Sequence, residues 1–123
     1  MLVFNLMEDD IFQITKIAKK YSKKKEFRAF FKSFCESLVP FKNILKKDHI
    51  IDLIDGKIPF ELSPHQDNLK NLSSNIQKLK ELEVWPTHII SLSILITKIL
   101  QKQENSEEIL TTLFDLLEKL LIF

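Results

Sequence analysis

The sequence predicts an all-α fold: a single compact bundle of about six helices around a buried central helix at residues 86–103. With one glycine and four prolines, it has too few turn-forming residues for the hairpins of a sandwich or barrel. Residues 89–100 contain eight isoleucines or leucines, on every side of a helix. A helix that is apolar all round must be buried all round, and the other segments each have one apolar face with which to surround it.

Length and composition predict one domain over residues 1–123. A chain of this length can bury its own core, and a content of 45% hydrophobic and 28% charged residues is typical of globular proteins. One glycine excludes the glycine-rich phosphate loops of nucleotide-binding proteins. One cysteine, Cys35, excludes an intramolecular disulfide and multi-cysteine metal frameworks.

The chain is expected to be cytoplasmic and to have no membrane span. A lone thiol fits a reducing compartment, and the N-terminus lacks the basic region of a signal peptide. Residues 89–100 are shorter than the roughly 20 apolar residues of a transmembrane helix.

Two helices are predicted in the first third of the chain, over residues 8–24 and 26–38. Acidic residues 8–10 favour the start of the first helix. The second carries a regular apolar series made of Phe27, Phe30, Phe31, Phe34 and Leu38. Pro40 disfavours helix at the preceding residue and ends it. A break between the two helices is preferred, because the apolar phase slips between Tyr21 and Phe27, although one continuous rod is the alternative.

The middle of the chain has a more broken pattern. Pro40 suits the first position of a short helix that carries Phe41, and Asp48 can cap another helix that ends before Gly56. Gly56 is expected to be left-handed. A strand over residues 49–54 is the alternative, although it would lack partner strands, and residues 57–62 are predicted to form an extended connector.

Three further helices complete the bundle. Ser63 is the predicted N-cap of the fourth, with Pro64 at its first position, and this helix runs to about residue 83. Pro86 begins the fifth, and Ser106 is the predicted N-cap of the sixth. Both chain ends, residues 2–4 and 121–123, are apolar, so they either dock on the core or bind a partner.

A concentrated basic run occupies residues 16–32, with eight cationic residues against one acid. Residues 1–50 carry a net charge of +5 and residues 51–123 a net charge of −4. The candidate contacts to nucleic-acid phosphates are Lys16, Lys20, Lys23, Lys24, Arg28 and Lys32. Cations four residues apart are neighbours on a helix and could neutralise phosphates. The alternative is a solvated helix face, which the overall net charge of +1 favours.

A protein-binding surface is the competing interpretation. Leu72 and Leu79 belong to a heptad-like seam over residues 69–79, a pattern that also forms between chains. Trp85 beside Pro86 and the apolar terminal residue Phe123 are further candidates for contact with a partner. Each of these features could equally close the core, and Trp85 could plug the end of the bundle.

No catalytic or metal-binding motif occurs. His49, His65 and His88 lie in separate segments without ligand spacing. Asp48, Asp52 and Asp55 could share one helical face and hold a divalent cation, but a cap plus a solvated face explains the same spacing. No metal site and no cofactor are therefore expected.

These observations predict a non-enzymatic interaction protein, a small subunit or adaptor of a larger intracellular assembly. Its partner is expected to be another protein, and a homo-oligomer is compatible with this expectation. Non-specific binding to a nucleic-acid backbone is the second hypothesis, and a metal-dependent activity at the aspartates is the third.

Overall fold

The structure is a computed structural model that describes residues 2–102 and 104–121, with side chains over residues 9–102 and 104–120. Its α-helices are α1 (Leu2–Tyr21), α2 (Phe27–Leu38), α3 (Lys47–Ile54), α4 (Gln66–Glu81), α5 (Pro86–Gln101) and α6 (Ser106–Leu121). Two 3₁₀-helices, Val39–Phe41 and Phe60–His65, lie in the connections. These described ranges contain no strand, so the all-α prediction is confirmed and the strand alternative within α3 is wrong.

α5 lies at the centre of the bundle and packs against each of the other five α-helices. Along its apolar middle, which is described in full, the only exposed side chain is that of Lys98. The buried hydroxyls of Ser93 and Thr97 donate to the carbonyl oxygens of Ile89 (2.7 Å) and Ile94 (2.9 Å). These polar side chains are thus satisfied inside their own helix, and they do not prevent its burial. The prediction of a buried central helix is confirmed.

The phenylalanines of α2 form a layer that packs on α4. Phe27 and Phe31 are fully buried, and their rings stack with centroids 5.3 Å apart. Leu72 and Leu79 of α4 are also fully buried and belong to the same core. The leucines of the predicted heptad-like seam therefore pack in the core of their own chain. Leu72 and Leu79 are corrected from candidate partner-binding residues to core residues.

Cys35 lies within this layer and is fully buried. Burial, and then the neighbouring Glu36 carboxylate, raise the pKa of its thiol well above the usual value. A thiol that stays protonated and out of solvent is a poor nucleophile.

α1 begins six residues before the start that the acidic residues predicted, residue 8. Its first residue is Leu2, so residues 8–10 lie inside the helix and not at its start. Asp10 is buried, and its carboxylate oxygens lie 3.5 Å from Lys98 Nζ and 3.8 Å from Lys102 Nζ. These lysines belong to the C-terminal part of α5 and its cap. The ion pairs neutralise a carboxylate that would be costly to bury alone.

α1 and α2 are separate helices, as preferred. Backbone hydrogen bonds from Lys24 to Tyr21 (3.0 Å) and from Phe27 to Lys24 (3.2 Å) close the intervening turn. The four-residue spacing of the basic run crosses this turn, so its members do not form one continuous helical ridge. The apolar side chains of residues 2–4 and 121, together with residues 122 and 123, lie outside the described side chains, and the candidate Phe123 is among them.

The N-cap of α3 is Lys46 and not the predicted Asp48. The side chain of His49, three residues on, accepts a hydrogen bond from the Lys46 backbone N–H at 3.0 Å. Asp48 lies in the first turn, where its charge still favours the helix start. His49 itself is buried, and its Nε2 lies 3.3 Å from Glu61 Oε2.

The predicted caps of the fourth and sixth helices are also displaced. Ser63 lies in a 3₁₀-helix and donates its hydroxyl to the carbonyl oxygen of Phe60 (2.7 Å), so α4 begins only at Gln66. Asn105, one residue before Ser106, caps α6 by accepting a hydrogen bond from the Glu108 backbone N–H at 3.3 Å. The short helix expected after Pro40 is reduced to the 3₁₀-helix Val39–Phe41.

α3 and α4 end in the same backbone motif with different residues at its left-handed position. Gly56 follows α3 with φ +78°, as predicted, and Glu83 follows α4 with φ +64°. In both motifs the next residue's N–H donates to the carbonyl five residues back, at 2.8 Å and 3.0 Å. The Glu83 backbone is strained, because a Cβ atom disfavours the left-handed region.

No helix in the described part of the chain combines the length and apolarity that crossing a bilayer requires.

Replacing Ile96 by aspartate should unfold the domain. Ile96 is fully buried on α5, and an unpaired buried charge costs several kcal/mol, comparable with the stability of a whole domain. Thermal melts followed by circular dichroism should lose their cooperative transition. The matched control Thr87→Asp, at an exposed site in the first turn of α5, should keep it. A cooperatively folded Ile96→Asp variant would contradict the central position of α5.

Opposite stability changes are expected at the two left-handed positions. Glu83→Gly should raise the free energy of unfolding by about 0.5–1 kcal/mol, because relief of the left-handed strain exceeds the added flexibility of the unfolded chain. Gly56→Ala should lower it by about 1 kcal/mol. A Cβ added at Gly56 meets no atom within 4 Å, so this loss would reflect backbone strain alone.

Urea unfolding measures both effects, and Glu83→Ala is the control. It removes the carboxylate and keeps the strain, so its stability should stay close to that of the wild type. If Glu83→Gly is no more stable than Glu83→Ala, backbone strain at this position is not the cause.

Candidate docking site around Trp85

Two regions that the sequence placed far apart meet at one end of the bundle. Lys20 and Lys24 come from the basic run, and Trp85 comes from the junction before α5. They line one concavity of about 520 Å³, which we call the Trp85 corner. Its lining residues are Lys20, Tyr21, Lys24, Lys80, Glu83, Val84, Trp85 and Pro86.

The sharp junction between α4 and α5 places Trp85 at this corner. Glu83 reverses the chain through its left-handed conformation, and Val84 is buried. Pro86 begins α5, with its ring compatible with the first helical position, and Trp85 before it is extended. Trp85 remains 55% exposed. It neither plugs the bundle nor joins the core.

Tyr21 links the end of α1 to the start of α5. Its ring is buried, and its hydroxyl oxygen lies 3.1 Å from the backbone nitrogen of Trp85 and 2.6 Å from His88 Nδ1. The backbone N–H donates to this oxygen, so the hydroxyl hydrogen is available to His88. His88 Nδ1 is then an acceptor, and the neutral ring carries its proton on Nε2.

The indole of Trp85 lies between an imidazole and an ammonium group. His88 stacks on it with centroids 5.2 Å apart and planes 16° from parallel. Lys20 Nζ lies 3.1 Å from the indole centroid. A cation over an indole face is attracted by the ring quadrupole. These contacts hold an exposed tryptophan in one orientation.

The other two lysines of the corner, Lys24 and Lys80, donate hydrogen bonds to backbone carbonyls at the ends of helices. Lys24 Nζ donates to the Leu82 carbonyl at 2.6 Å and lies 3.4 Å from Glu83 Oε2. Lys80 Nζ donates to the Ile54 carbonyl at 2.7 Å. Both acceptors belong to helix C-termini, where cations are favoured. Part of the positive charge here therefore has a structural role.

The positive charge also acts on His88. Partial burial, and then the Lys20 ammonium, lower the pKa of His88 below its ordinary value of 6.5. Both causes favour the neutral ring, which agrees with Nδ1 accepting a hydrogen bond from Tyr21.

The remaining cations of the basic run lie outside the corner lining. Lys16 is exposed on α1, and Lys23 is exposed in the turn that follows. Arg28 and Lys32 are exposed on α2. Two of the six candidate residues for nucleic-acid binding, Lys20 and Lys24, thus line the corner. The other four lie on α1, in the following turn and on α2.

The aspartate cluster does not form a metal site within the described residues. No group of three histidine, cysteine, aspartate or glutamate side chains there could hold an ion. Asp48 and Asp55 are exposed at the two ends of α3.

The sequence did not predict a functional role for Tyr21, Glu83 or His88. In the sequence Tyr21 stands out only as part of the apolar pattern, and His88 only as one of three histidines without ligand spacing. One signal was present: His88 lies three residues after Trp85 at a proline-initiated helix start, a spacing that places two side chains on one face. The left-handed turn at Glu83 could not be predicted from the sequence, because glutamate seldom occupies the left-handed position after a helix.

Acidification should destabilise the folded protein through His88. Because folding lowers the pKa of His88, the unfolded state binds its proton more readily, and stability must fall as the pH drops below 6.5. Urea unfolding between about pH 7.5 and about pH 5 should show this fall. His88→Asn keeps an acceptor near Nδ1 and cannot be protonated, so its fall should be shallower. An identical pH dependence in both proteins would contradict the role of His88.

Comparisons of the chain with protein-family models, with curated proteins and with solved structures find no match. No relative therefore suggests a function for this chain.

Proposed function

We propose that the protein is a non-enzymatic interaction module, an adaptor or small subunit of a larger assembly, which binds a protein partner through the Trp85 corner. The observation that carries this proposal is the exposed but oriented indole of Trp85, held between His88 and Lys20. An aromatic side chain ordered before binding loses little conformational entropy on binding. Tryptophan is also enriched among the residues that dominate binding energies.

The charge of the corner favours an acidic partner segment. Three lysines line it against one acid, Glu83. Lys24 and Lys80 each donate one hydrogen bond to a backbone carbonyl, and an ammonium group has three donors. An acidic segment would gain attraction over a distance, and an apolar side chain within it would contact Trp85.

Tyr21 and His88 support a binding role over a catalytic one. The Tyr21 hydroxyl is engaged by the Trp85 backbone and by His88. His88 in turn stacks on the indole. These groups position Trp85, and a partner would meet the indole before it met either of them.

Photo-crosslinking in the source cell tests the proposal. A photoreactive side chain at position 87, exposed beside Trp85, should give a discrete crosslinked product with a partner protein. The same group at position 66, exposed at the start of α4, should not, because α4 ends near the corner and position 66 lies roughly 22 Å along it.

Charge reversal supplies the matched pair of variants. Lys20→Glu should reduce the affinity on the order of tenfold and remove the product. Lys70→Glu, an exposed lysine of α4 outside the corner, should leave it unchanged. A product formed equally from both positions, or insensitive to Lys20→Glu, would contradict docking at the corner.

Binding of single-stranded nucleic acid is the second candidate. An exposed indole beside lysines is an arrangement that stacks on bases and attracts phosphates, and the exposed Lys16 and Lys23 extend the positive charge. Trp85 is the only tryptophan, so its fluorescence reports on the corner alone. Oligothymidine should quench it at low salt, and the affinity should fall steeply as salt rises. No quenching at the lowest salt would exclude this candidate.

A further inference from the structure

A second surface has the opposite charge to the Trp85 corner. It is a groove of about 770 Å³ between α6 and the C-terminal part of α2, which we call the acidic groove. Its lining includes Glu36, Glu107, Asp115 and Glu118, against one cation, Lys32. All four carboxylates are on exposed residues.

The acidic groove also has an apolar floor. Leu110 is buried there, Val39 and Phe114 are half-buried, and Pro40 is exposed. An apolar floor with charged walls suits a large side chain that carries charges of the opposite sign beside it. Trp85, with Lys20 and Lys24 around it, has this chemistry.

The two surfaces are separate, because they share no lining residue. The corner is built from residues at the end of α1 and at the junction between α4 and α5, whereas the acidic groove extends along α6 from Glu107 to Glu118. One surface can therefore be occupied while the lining residues of the other stay available.

We propose that the Trp85 corner of one copy binds the acidic groove of a second copy, so that the protein associates head to tail. This inference rests on the proposed function, because it names the partner of the corner. Charge complementarity carries it: three lysines and one acid line the corner, and four acids and one lysine line the groove. Every copy has both halves of the contact. Such a heterologous contact produces an open chain unless a ring closes.

Two variants should each block one half of this contact. Lys20→Glu places an acid in the corner and leaves the groove intact. Asp115→Lys, at an exposed position of α6, places a cation in the groove and leaves the corner intact. Circular dichroism melts establish that both variants fold, and the milder Lys20→Gln and Asp115→Asn replace any that does not.

Sedimentation velocity then measures the association. The mass of the wild type should rise with concentration above the 14.5 kDa of one chain, and this rise should weaken with salt. Each variant alone should associate on the order of tenfold more weakly or remain monomeric. An equimolar mixture of the two should form a dimer and no larger species, because only one intact corner and one intact groove remain. Lys70→Glu should behave as the wild type.

Three results would overturn the inference: a wild type that is monomeric at every concentration, an oligomer insensitive to both variants, or a mixture that does not form a dimer. These results leave the proposed function separately testable. A crosslink from position 87 to a different protein would retain docking at the corner and exclude the second copy as its partner. If position 87 gives no product with any protein, the proposed function falls as well.

Discussion

The burial of α5 on all sides is the constraint on which the rest of the structure depends. A helix without a polar face cannot contribute to the surface, so five other helices must cover it. Its own polar side chains, Ser93 and Thr97, are satisfied by hydrogen bonds within the helix. Between its two ends, the only exposed side chain is that of Lys98, which pairs with Asp10. Chemistry associated with α5 is therefore confined to those ends, where Trp85 and His88 lie at one and Lys102 pairs with Asp10 near the other.

Apolar spacings of three and four residues allowed four of the six helices to be predicted, whereas α5 was predicted from an apolar run on every side and α3 from its expected cap and the Gly56 stop. Helix starts were less predictable, because several polar side chains near a start compete to satisfy the same free backbone groups. Asn105 caps α6 in place of the neighbouring Ser106, and His49 satisfies the backbone N–H of Lys46 in α3. Ser63 hydrogen-bonds backwards within a 3₁₀ turn instead of capping α4. These choices depend on backbone geometry that sequence spacing does not specify.

The candidate site was predictable in its parts but not as a whole. Trp85 and the basic run were both recognisable from the sequence, yet Lys20 and Trp85 are separated by about half of the chain and meet only through the packing of α1 on α5. The heptad-like seam was ambiguous for a related reason. Leucines such as Leu72 pack equally well against a helix of their own chain and against a helix of another. Here the leucines of the seam and the buried phenylalanines of α2 belong to one core, so the seam is not exposed to a partner.

The buried thiol of Cys35 makes one layer of the bundle experimentally visible. Cys35 is the only cysteine of the chain, and it sits on α2 inside the layer that faces α4. A thiol reagent cannot reach it until α2 separates from its neighbours, and burial keeps the thiol protonated and unreactive until then. The rate of its modification under native conditions therefore measures how often this layer opens, independently of global unfolding. Cysteines introduced at surface positions would react first, so probes could be attached there while the native residue is retained.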